Sequence, residues 1–359
     1  MRELSYRTHF FMKLAKRIEF KFEIDGEGIV NYDSNSQKWV WNTLEGKTKV
    51  NHDNVMLGKK VFFENEGKLQ YKLAISANAL RHEIFKKGMP FQNQSLTNND
   101  TMLVRTIANP TSFIRGYLFT SPKYNIKRSS AISITSAIQT NAAISNIETF
   151  NKSGEKIDIN DNKTDNSFYK KEICGKISYG GSGIIDLSQL RFLSCDPAYD
   201  RLGLVSDHIK LYVDTFKEKM PSLDVKEGYY QIKDSVFELS ECGLYFSDEN
   251  IVLFVKEFFK NLLSLNIAKS GAFAKIKSIK YKIISDTIAN LNEKNENWIS
   301  IYNENDVDKI SFTPDFFYEE RDFEDTVKLK EQLKKDKEEM DKLRGEKKNN
   351  KKKNKEDKE

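Results

Sequence analysis

The sequence predicts an α+β fold in which helices pack against a mostly antiparallel sheet. Three observations support this class. Residues 17–30 alternate apolar and charged side chains, as a half-buried strand does. Two predicted helices each follow a strand and begin at a residue suited to cap them. The core order is strand, strand–helix, strands, helix and strand, with long insertions between them.

In the first half of the chain, Ile18, Phe20, Phe22 and Ile24 mark the buried face of the first strand. Ser76 is a suitable cap for a helix, which we expect to end at Gly88 and Pro90. The predicted segments are short strands and loops at 31–66, a core strand at 69–75, the helix at 77–87, a polar linker at 91–109, an apolar segment at 111–119 and a basic loop at 122–130.

The second half predicts further strands and one helix. In order, they are a mobile excursion at 151–166, a strand at 175–192 interrupted by the glycine run at 180–183, a strand at 236–246, a helix capped by Ser247 or Asp248, and a lysine-rich strand at 272–284. We expect one elaborated domain over 1–326, with core elements in about 17–88 and 175–284. A charged tail at 327–359 follows, with a short helix at most and disorder from Gly345 onward.

Composition excludes several classes of protein. No uncharged apolar run is long enough to form a membrane-spanning helix, and the first 20 residues do not form an ordinary secretory signal. Three widely spaced cysteines without a C-x-x-C pair argue against a disulfide framework and a zinc ribbon. The four histidines show no metal-ligand spacing. We therefore expect a cytoplasmic protein with no cofactor and no metal site.

Charge is unevenly distributed along the chain. Residues 1–150 carry 21 basic and 13 acidic side chains, a net charge of +8, whereas 151–326 carry 23 and 31, a net charge of −8. Two stretches, 77–146 and 268–285, are rich in lysine and arginine and poor in acids. They indicate either a local anionic partner or solvated surface neutralised by acids elsewhere in the fold.

The first of these stretches holds the candidate binding residues. Arg81 falls within the apolar arc of the predicted helix, while Asn78, His82 and Lys86 share its other side. A guanidinium in such a place needs a phosphate, a buried carboxylate or a route to the surface.

Further along, Arg115 stands alone among apolar residues before Gly116. A second group offers aromatic rings, charges and hydroxyls, which suit a surface that follows a nucleic-acid backbone and stacks bases: Tyr117, Tyr124, Lys127, Arg128, Ser129 and Ser130. The glycine run lacks the pattern of a phosphate loop, and no serine or cysteine pairs with a convincing histidine.

Several short stretches together resemble a known family. They are 28–32 (GIVNY), 76–85 (SANALRHEIF), 114–117 (IRGY), 127–130 (KRSS), 178–180 (SYG), 241–243 (ECG) and 268–271 (AKSG). In this order they resemble the backbone subunit (the RAMP-type "Cas-seven" family) of type I CRISPR surveillance complexes, or Cascade. The likeness is greatest to the minimal variant of subtype I-F and covers about 17–284.

The resemblance implies an RNA-recognition-like ferredoxin core with finger and thumb-like insertions. It implies a non-catalytic subunit that polymerises with other copies along the spacer of a CRISPR RNA, beside other Cascade subunits, while base pairing selects target DNA. No membrane is involved. The RNA-binding residues predicted from the motifs and the charge pattern together are Asn78, Arg81, His82, Lys86, Arg115, Tyr117, Lys127, Arg128, Ser129, Lys269 and Ser270.

Other functions remain open at this point. A related endoribonuclease would use His82 as general base and would need a second acid or base. Cleavage of target RNA by an aspartate in a thumb loop would make Asp161 or Asp165 the candidate. A scaffold that assembles partners through its insertions would explain the polar loops but not arginines in apolar settings.

Overall fold

The computed structural model describes most of the chain. The described residues are 14–32, 40–43, 46–48, 55–86, 100–120, 125–152, 167–197, 201–232, 240–269, 271–285, 298–315, 318–332, 334–336, 338 and 342. The predicted excursion at 151–166 and Gly88, Pro90, Tyr124, Ser270, Asp161 and Asp165 lie wholly or largely outside them.

The strands of the described residues are, in chain order, β1 Leu14–Ala15, β2 Arg17–Glu27, β3 Val40–Thr43, β4 Gly46–Thr48, β5 Val55–Met56, β6 Lys60–Asn65, β7 Lys68–Ile75, β8 Tyr117–Thr120, β9 Asn125–Arg128, β10 Ile132–Ile134, β11 Ala137–Gln139, β12 Ser145–Lys152, β13 Ser167–Cys174, β14 Lys176–Asp186, β15 Phe192–Ser194, β16 Val225–Ile232, β17 Glu241–Phe246, β18 Asn266–Lys269, β19 Ala272–Ile284, β20 Ile299–Ile301, β21 Thr313–Pro314 and β22 Tyr318–Arg321.

The helices are α1 Ala77–Phe85, α2 Asp100–Ile107, α3 Pro110–Arg115, α4 Ile209–Lys219, α5 Asp248–Leu263, α6 Glu304–Asp308 and α7 at 323–332.

Two antiparallel sheets dominate the architecture. The main sheet has the order β18-β19-β2-β14-β11-β7-β6, with β10 also paired to β14 and β20 to β19. The second sheet has the order β15-β17-β16-β22. The predicted α+β class with mostly antiparallel strands is confirmed.

Helix α5 lies between the two sheets and joins them. Phe258 of α5 packs on Phe20 of β2, with ring centroids 5.1 Å apart. On its other side, Phe254 lies 5.6 Å from Phe246 of β17 and 4.9 Å from Phe113 of α3. Because all five rings are fully buried, one continuous core holds both sheets and the helices together.

The glycine run does not interrupt its strand, contrary to the prediction. β14 runs unbroken through 180–183, and Gly181 and Gly183 stand directly opposite Phe22 and Phe20 of β2. A Cβ at either glycine would lie 2.3 Å from the facing phenylalanine ring. The glycines therefore make room for two core rings rather than forming a turn.

Several other predicted elements match the structure. β2 ends three residues before the predicted limit of 30, and its buried face carries the four predicted side chains. The predicted strands at 69–75 and 272–284 correspond to β7 and β19. Ser76 caps α1 by accepting a hydrogen bond from the Ala79 N–H, and Ser247 caps α5 in the same manner.

Two predictions of irregular structure were wrong. The polar linker predicted at 91–109 contains helix α2, whose Leu103, Val104 and Ile107 are buried. The basic loop predicted at 122–130 contains strand β9, which pairs with β8. In both, the buried side chains recur at the period of the element, and tertiary packing outweighs the polar composition.

The boundary predicted at 326/327 falls inside α7. The hydroxyl of Thr326 lies 2.6 Å from that of Ser240, and Lys330 Nζ donates to Asp196 Oδ2 at 2.5 Å. Lys330, near the start of the segment assigned to the tail, therefore contacts the body of the protein. Residues 343–359 lie outside the described part.

Among the described residues, no helix is both long and apolar enough to cross a membrane.

Gly183→Ala should destabilise the protein by about 1–3 kcal/mol, because the new methyl group would overpack the core. Its Cβ would meet the Phe20 ring at 2.3 Å and the Ser133 carbonyl oxygen at 2.4 Å. Urea denaturation measures the change. Gly175→Ala is the matched control, since nothing lies within 4 Å of a Cβ built there. Equal stability of the two variants would contradict this account of the glycine run.

Candidate nucleic-acid interface

Helix α1 presents a polar face to solvent. Leu80, Ile84 and Phe85 are buried, whereas Asn78, His82 and Lys86 are exposed. Lys86 forms a long ion pair with Glu83, at 3.6 Å. The predicted division of the helix is confirmed, and three side chains with hydrogen-bonding or charged groups remain accessible on one side.

Arg81 is half-buried at the margin of this face and ties three elements together. Its Nη1 donates to the Ile132 carbonyl at the start of β10 at 2.9 Å, and Nη2 donates to the Arg115 carbonyl at the end of α3 at 3.0 Å. The guanidinium thus meets main-chain carbonyls rather than the carboxylate that we considered. Burial, followed by the positive charge of Arg115, lowers the pKa of Arg81.

Arg115 is placed beside Arg81 by a glycine cap. Gly116 has φ +79°, and a Cβ there would lie 2.5 Å from the Arg128 carbonyl oxygen and 2.8 Å from the carbonyl carbon of Ser129. Only glycine allows this approach, so α3 ends against the segment that carries exposed Ser129. Ser130 fixes that segment by donating to the Ile132 carbonyl at 2.9 Å.

The two neighbouring guanidiniums form the centre of the site. Within the described residues, the side chain of Arg115 has no acidic partner, and its charge is close enough to affect the pKa of Arg81. Two cations held together by the main chain repel each other, and an anion between them would relieve that repulsion. Planar guanidiniums suit the oxygens of a phosphate group. We call Arg81, Arg115, Ser129 and the exposed face of α1 the arginine site.

Arg128 does not belong to this site, which corrects the prediction. Its Nε donates to the Phe113 carbonyl at 2.9 Å, Nη1 to the Phe192 carbonyl at 2.8 Å, and Nη2 to the Gln189 carbonyl. The guanidinium carbon lies 3.6 Å from the centroid of the Phe113 ring. Burial lowers the pKa of its guanidinium. Arg128 therefore fastens β9 to α3 and the second sheet and offers no surface for RNA.

Tyr117 is also a structural residue rather than a stacking platform. Its ring is buried, and its hydroxyl donates to the Gly203 carbonyl at 2.8 Å. Burial raises the pKa of this hydroxyl. The alternation of β8 explains the correction, because Tyr117 and Phe119 point inward while Leu118 is exposed.

The remaining predicted RNA-binding residues do not all lie at the arginine site. Lys127 is half-buried on β9, next to the arginine site in sequence. Lys269 is exposed, but the register places it at the end of the main sheet where β14 begins, near Lys176. Arg81 bonds Ile132, which pairs with Ile185 near the other end of β14. Nine residue steps of about 3.3 Å separate these ends by roughly 30 Å.

The described residues contain no cluster of three or more histidine, cysteine or acidic side chains able to hold a metal ion. His82 has no hydrogen bond or ion pair within that part of the chain. The arginine site supplies positive charge and hydrogen-bond donors, which are groups that suit phosphate oxygens.

The sequence analysis did not identify the start of α3, the helix that positions Arg115. Asn109 accepts a hydrogen bond from the Ser112 N–H at 2.8 Å and caps α3, with Pro110 in its first turn. Asparagine followed by proline is a recognisable helix start. It would have indicated that Arg115 ends a short helix.

A protein-family model matches most of the chain. The family is described as type I-Fv CRISPR-associated protein Cas7fv-like, and its model matches residues 15–306. No curated protein sequence matches the chain.

Two solved structures are similar over 74% of this chain. One, described as a CRISPR RNA-guided surveillance complex, is 9% identical, with a TM-score of 0.35 and 68% of its chain covered. The other, described as the same kind of complex in a pre-nicking state, is 8% identical, with a TM-score of 0.37 and 77% of its chain covered.

Arg128→Ala should destabilise the protein by about 3 kcal/mol or more, because three carbonyls, two of them in buried hydrogen bonds, would lose their donor. Thermal and urea denaturation measure the loss. Lys127→Ala, at the neighbouring and more exposed position, is the matched control and should change stability little. A stable Arg128→Ala protein with weakened RNA binding would restore the original prediction.

Proposed function

The chain belongs to the Cas7fv-like family of type I-Fv CRISPR-associated proteins, and we propose that it is a non-catalytic backbone subunit that grips CRISPR RNA. In this proposal several copies polymerise along the spacer of the guide in a Cascade-type complex, beside other Cascade subunits. Base pairing by the guide then selects target DNA.

The main support for the proposal is the arrangement of charges and donors at the arginine site. Arg81 and Arg115 present two adjacent positive charges, and Ser129 and the α1 face add donors around them. These groups suit phosphate oxygens, which are common to every nucleotide. Binding at the arginine site is therefore expected to tolerate any spacer sequence, as a guide-holding subunit requires.

We also propose that the centre of the main sheet is a ferredoxin-like core. Four neighbouring strands run in the order β19-β2-β14-β10/β11, which in chain order is fourth, first, third and second. Helices α1 and α5 pack on one face, through Phe85 and Phe258, whose ring centroids are 6.2 Å apart. This order and this one-sided helix layer are what a βαββαβ core requires.

Polymerisation is supported by the charge asymmetry of the chain. The net charges of +8 for residues 1–150 and −8 for 151–326 suit a head-to-tail contact between successive copies. Such contacts are weak singly and add up once an RNA aligns the copies.

The experiment that tests the proposed function incubates the pure protein with a labelled repeat–spacer RNA. We expect a shifted and intact RNA. A cut RNA would favour the endoribonuclease, and an RNA neither bound nor cut would contradict both assignments.

Arg115→Ala should weaken RNA binding about tenfold, because it removes a charge-assisted phosphate contact without touching a buried bond. Fluorescence anisotropy across a salt series measures it, and the log–log slope should fall by about 0.7 for the lost phosphate. Arg105→Ala, at an exposed position on α2, is the matched control. Arg115→Lys should recover little if the contact is bidentate. A flat salt response of the wild type would contradict the electrostatic account.

Arg81→Ala does not separate RNA binding from stability, although the sequence alone suggests that it would. Its two bonds to main-chain carbonyls join α1 to α3 and β10, so we expect this substitution to lower both stability and RNA affinity. Arg115→Ala is therefore preferred for isolating the binding role.

His82→Ala should leave RNA intact and lower affinity only modestly, since His82 is an exposed side chain on the α1 face. Gel analysis of repeat RNA after long incubation with wild type and variant provides the measurement. Cleavage by the wild type that disappears in the variant would replace the non-catalytic assignment with an endoribonuclease.

A further inference from the structure

The face of the main sheet opposite the helices carries a patch of lysines around one tryptophan. The register sets Lys21 of β2 directly opposite Lys280 of β19, and Lys282 lies two residues further along on the same face. The indole ring of Trp298 lies between two ammonium groups, 4.4 Å from Lys21 Nζ and 5.0 Å from Lys282 Nζ. We call Lys21, Lys280, Lys282 and Trp298 the lysine–tryptophan patch.

Within the described residues, two carboxylates, Glu19 and Glu23, lie beside the three lysines of this patch. Glu19 lies 3.2 Å from both Lys282 and Arg17, and Glu23 accepts a hydrogen bond from Ser278 at 3.2 Å. Lys280 is exposed and has no ion pair within the described residues. Like charges directly opposite each other on neighbouring strands destabilise a sheet. An anion bound here would reduce the repulsion between Lys21 and Lys280.

Hydroxyl groups continue the line of donors across the sheet. Ser182 of β14 stands opposite Lys21, and Ser300 of β20 stands opposite Lys280. Serine, two lysines and serine thus form one row over four adjacent strands. Ammonium and hydroxyl donors suit phosphate oxygens, and a half-exposed indole beside them offers a surface on which a base stacks.

We propose that the lysine–tryptophan patch binds a single-stranded nucleic acid that is distinct from the strand held at the arginine site. The two sites face away from each other, since Phe20 packs on α5, which also contacts α1, while the adjacent Lys21 points to the opposite side of the sheet. The proposal rests on the proposed function only in naming the first strand as the guide. A second strand of RNA or of DNA has the same phosphate and base chemistry.

The test measures binding of a labelled second strand to full-length protein saturated with unlabelled guide-length RNA. The second strand is supplied as DNA and as RNA of one sequence not complementary to the guide. Lys21→Gln/Lys280→Gln should weaken its binding about tenfold and reduce the log–log salt slope by about 1.4, for two phosphates. Trp298→Leu should weaken it about tenfold, and Trp298→Phe should recover most of the loss. Lys210→Gln, an exposed position on α4, is the matched control.

Binding of either second strand that depends on these residues supports the proposal. Unchanged binding in the lysine and tryptophan variants overturns it. Equal loss of guide binding also overturns it, because the patch would then lie on the guide's own path. If the wild type does not bind the guide, the proposed function fails, and titration of the second strand into free protein still decides on the patch.

A stability measurement separates a binding role from a structural one. Lys280→Gln removes one of two opposed charges, so its Tm should be equal to or higher than that of the wild type while second-strand binding falls. A lower Tm would show that Lys280 supports the fold and would overturn the proposal.

Discussion

The structure depends on the packing of two phenylalanines on the central strand of the main sheet. Both rings are buried, and Phe20 packs on α5. Their neighbours on β14 are glycines, because any side chain there would clash with the rings. This constraint fixes the register of β2 against β14. It thereby decides which face of the sheet meets the helices and which faces solvent, since a one-residue slip would exchange the two faces.

The arginine site follows from that arrangement. With α1 and α5 on one face, the end of α3 and the start of β10 come close enough for one guanidinium to bond both main chains. Arg81 thus forms structural hydrogen bonds and carries a positive charge in a fixed position. It also holds Arg115 beside it. The fold keeps two like charges together because carbonyl dipoles, rather than carboxylates, compensate the inner one.

The sequence predicted the elements whose signals are local. Alternation identified β2, and the serines before α1 and α5 identified their starts, since both features depend on residues a few positions apart. The prediction failed where long-range contacts decide. The sequence around Gly183 does not indicate its contact with Phe20. The sequence around Arg128 does not indicate that its guanidinium donates to the carbonyls of Phe113 and Phe192. In the site, the exposed face of α1 was therefore predictable, whereas the burial of Arg128 and Tyr117 was not.

The central claim is that copies of this chain assemble along one RNA strand. Sedimentation velocity of the full-length protein, alone and with single-stranded RNAs of increasing length, tests it most directly. The account predicts a protein that is mostly monomeric or heterogeneous alone and a series of discrete complexes whose number of copies rises with RNA length. A single species of fixed size at every RNA length would contradict it.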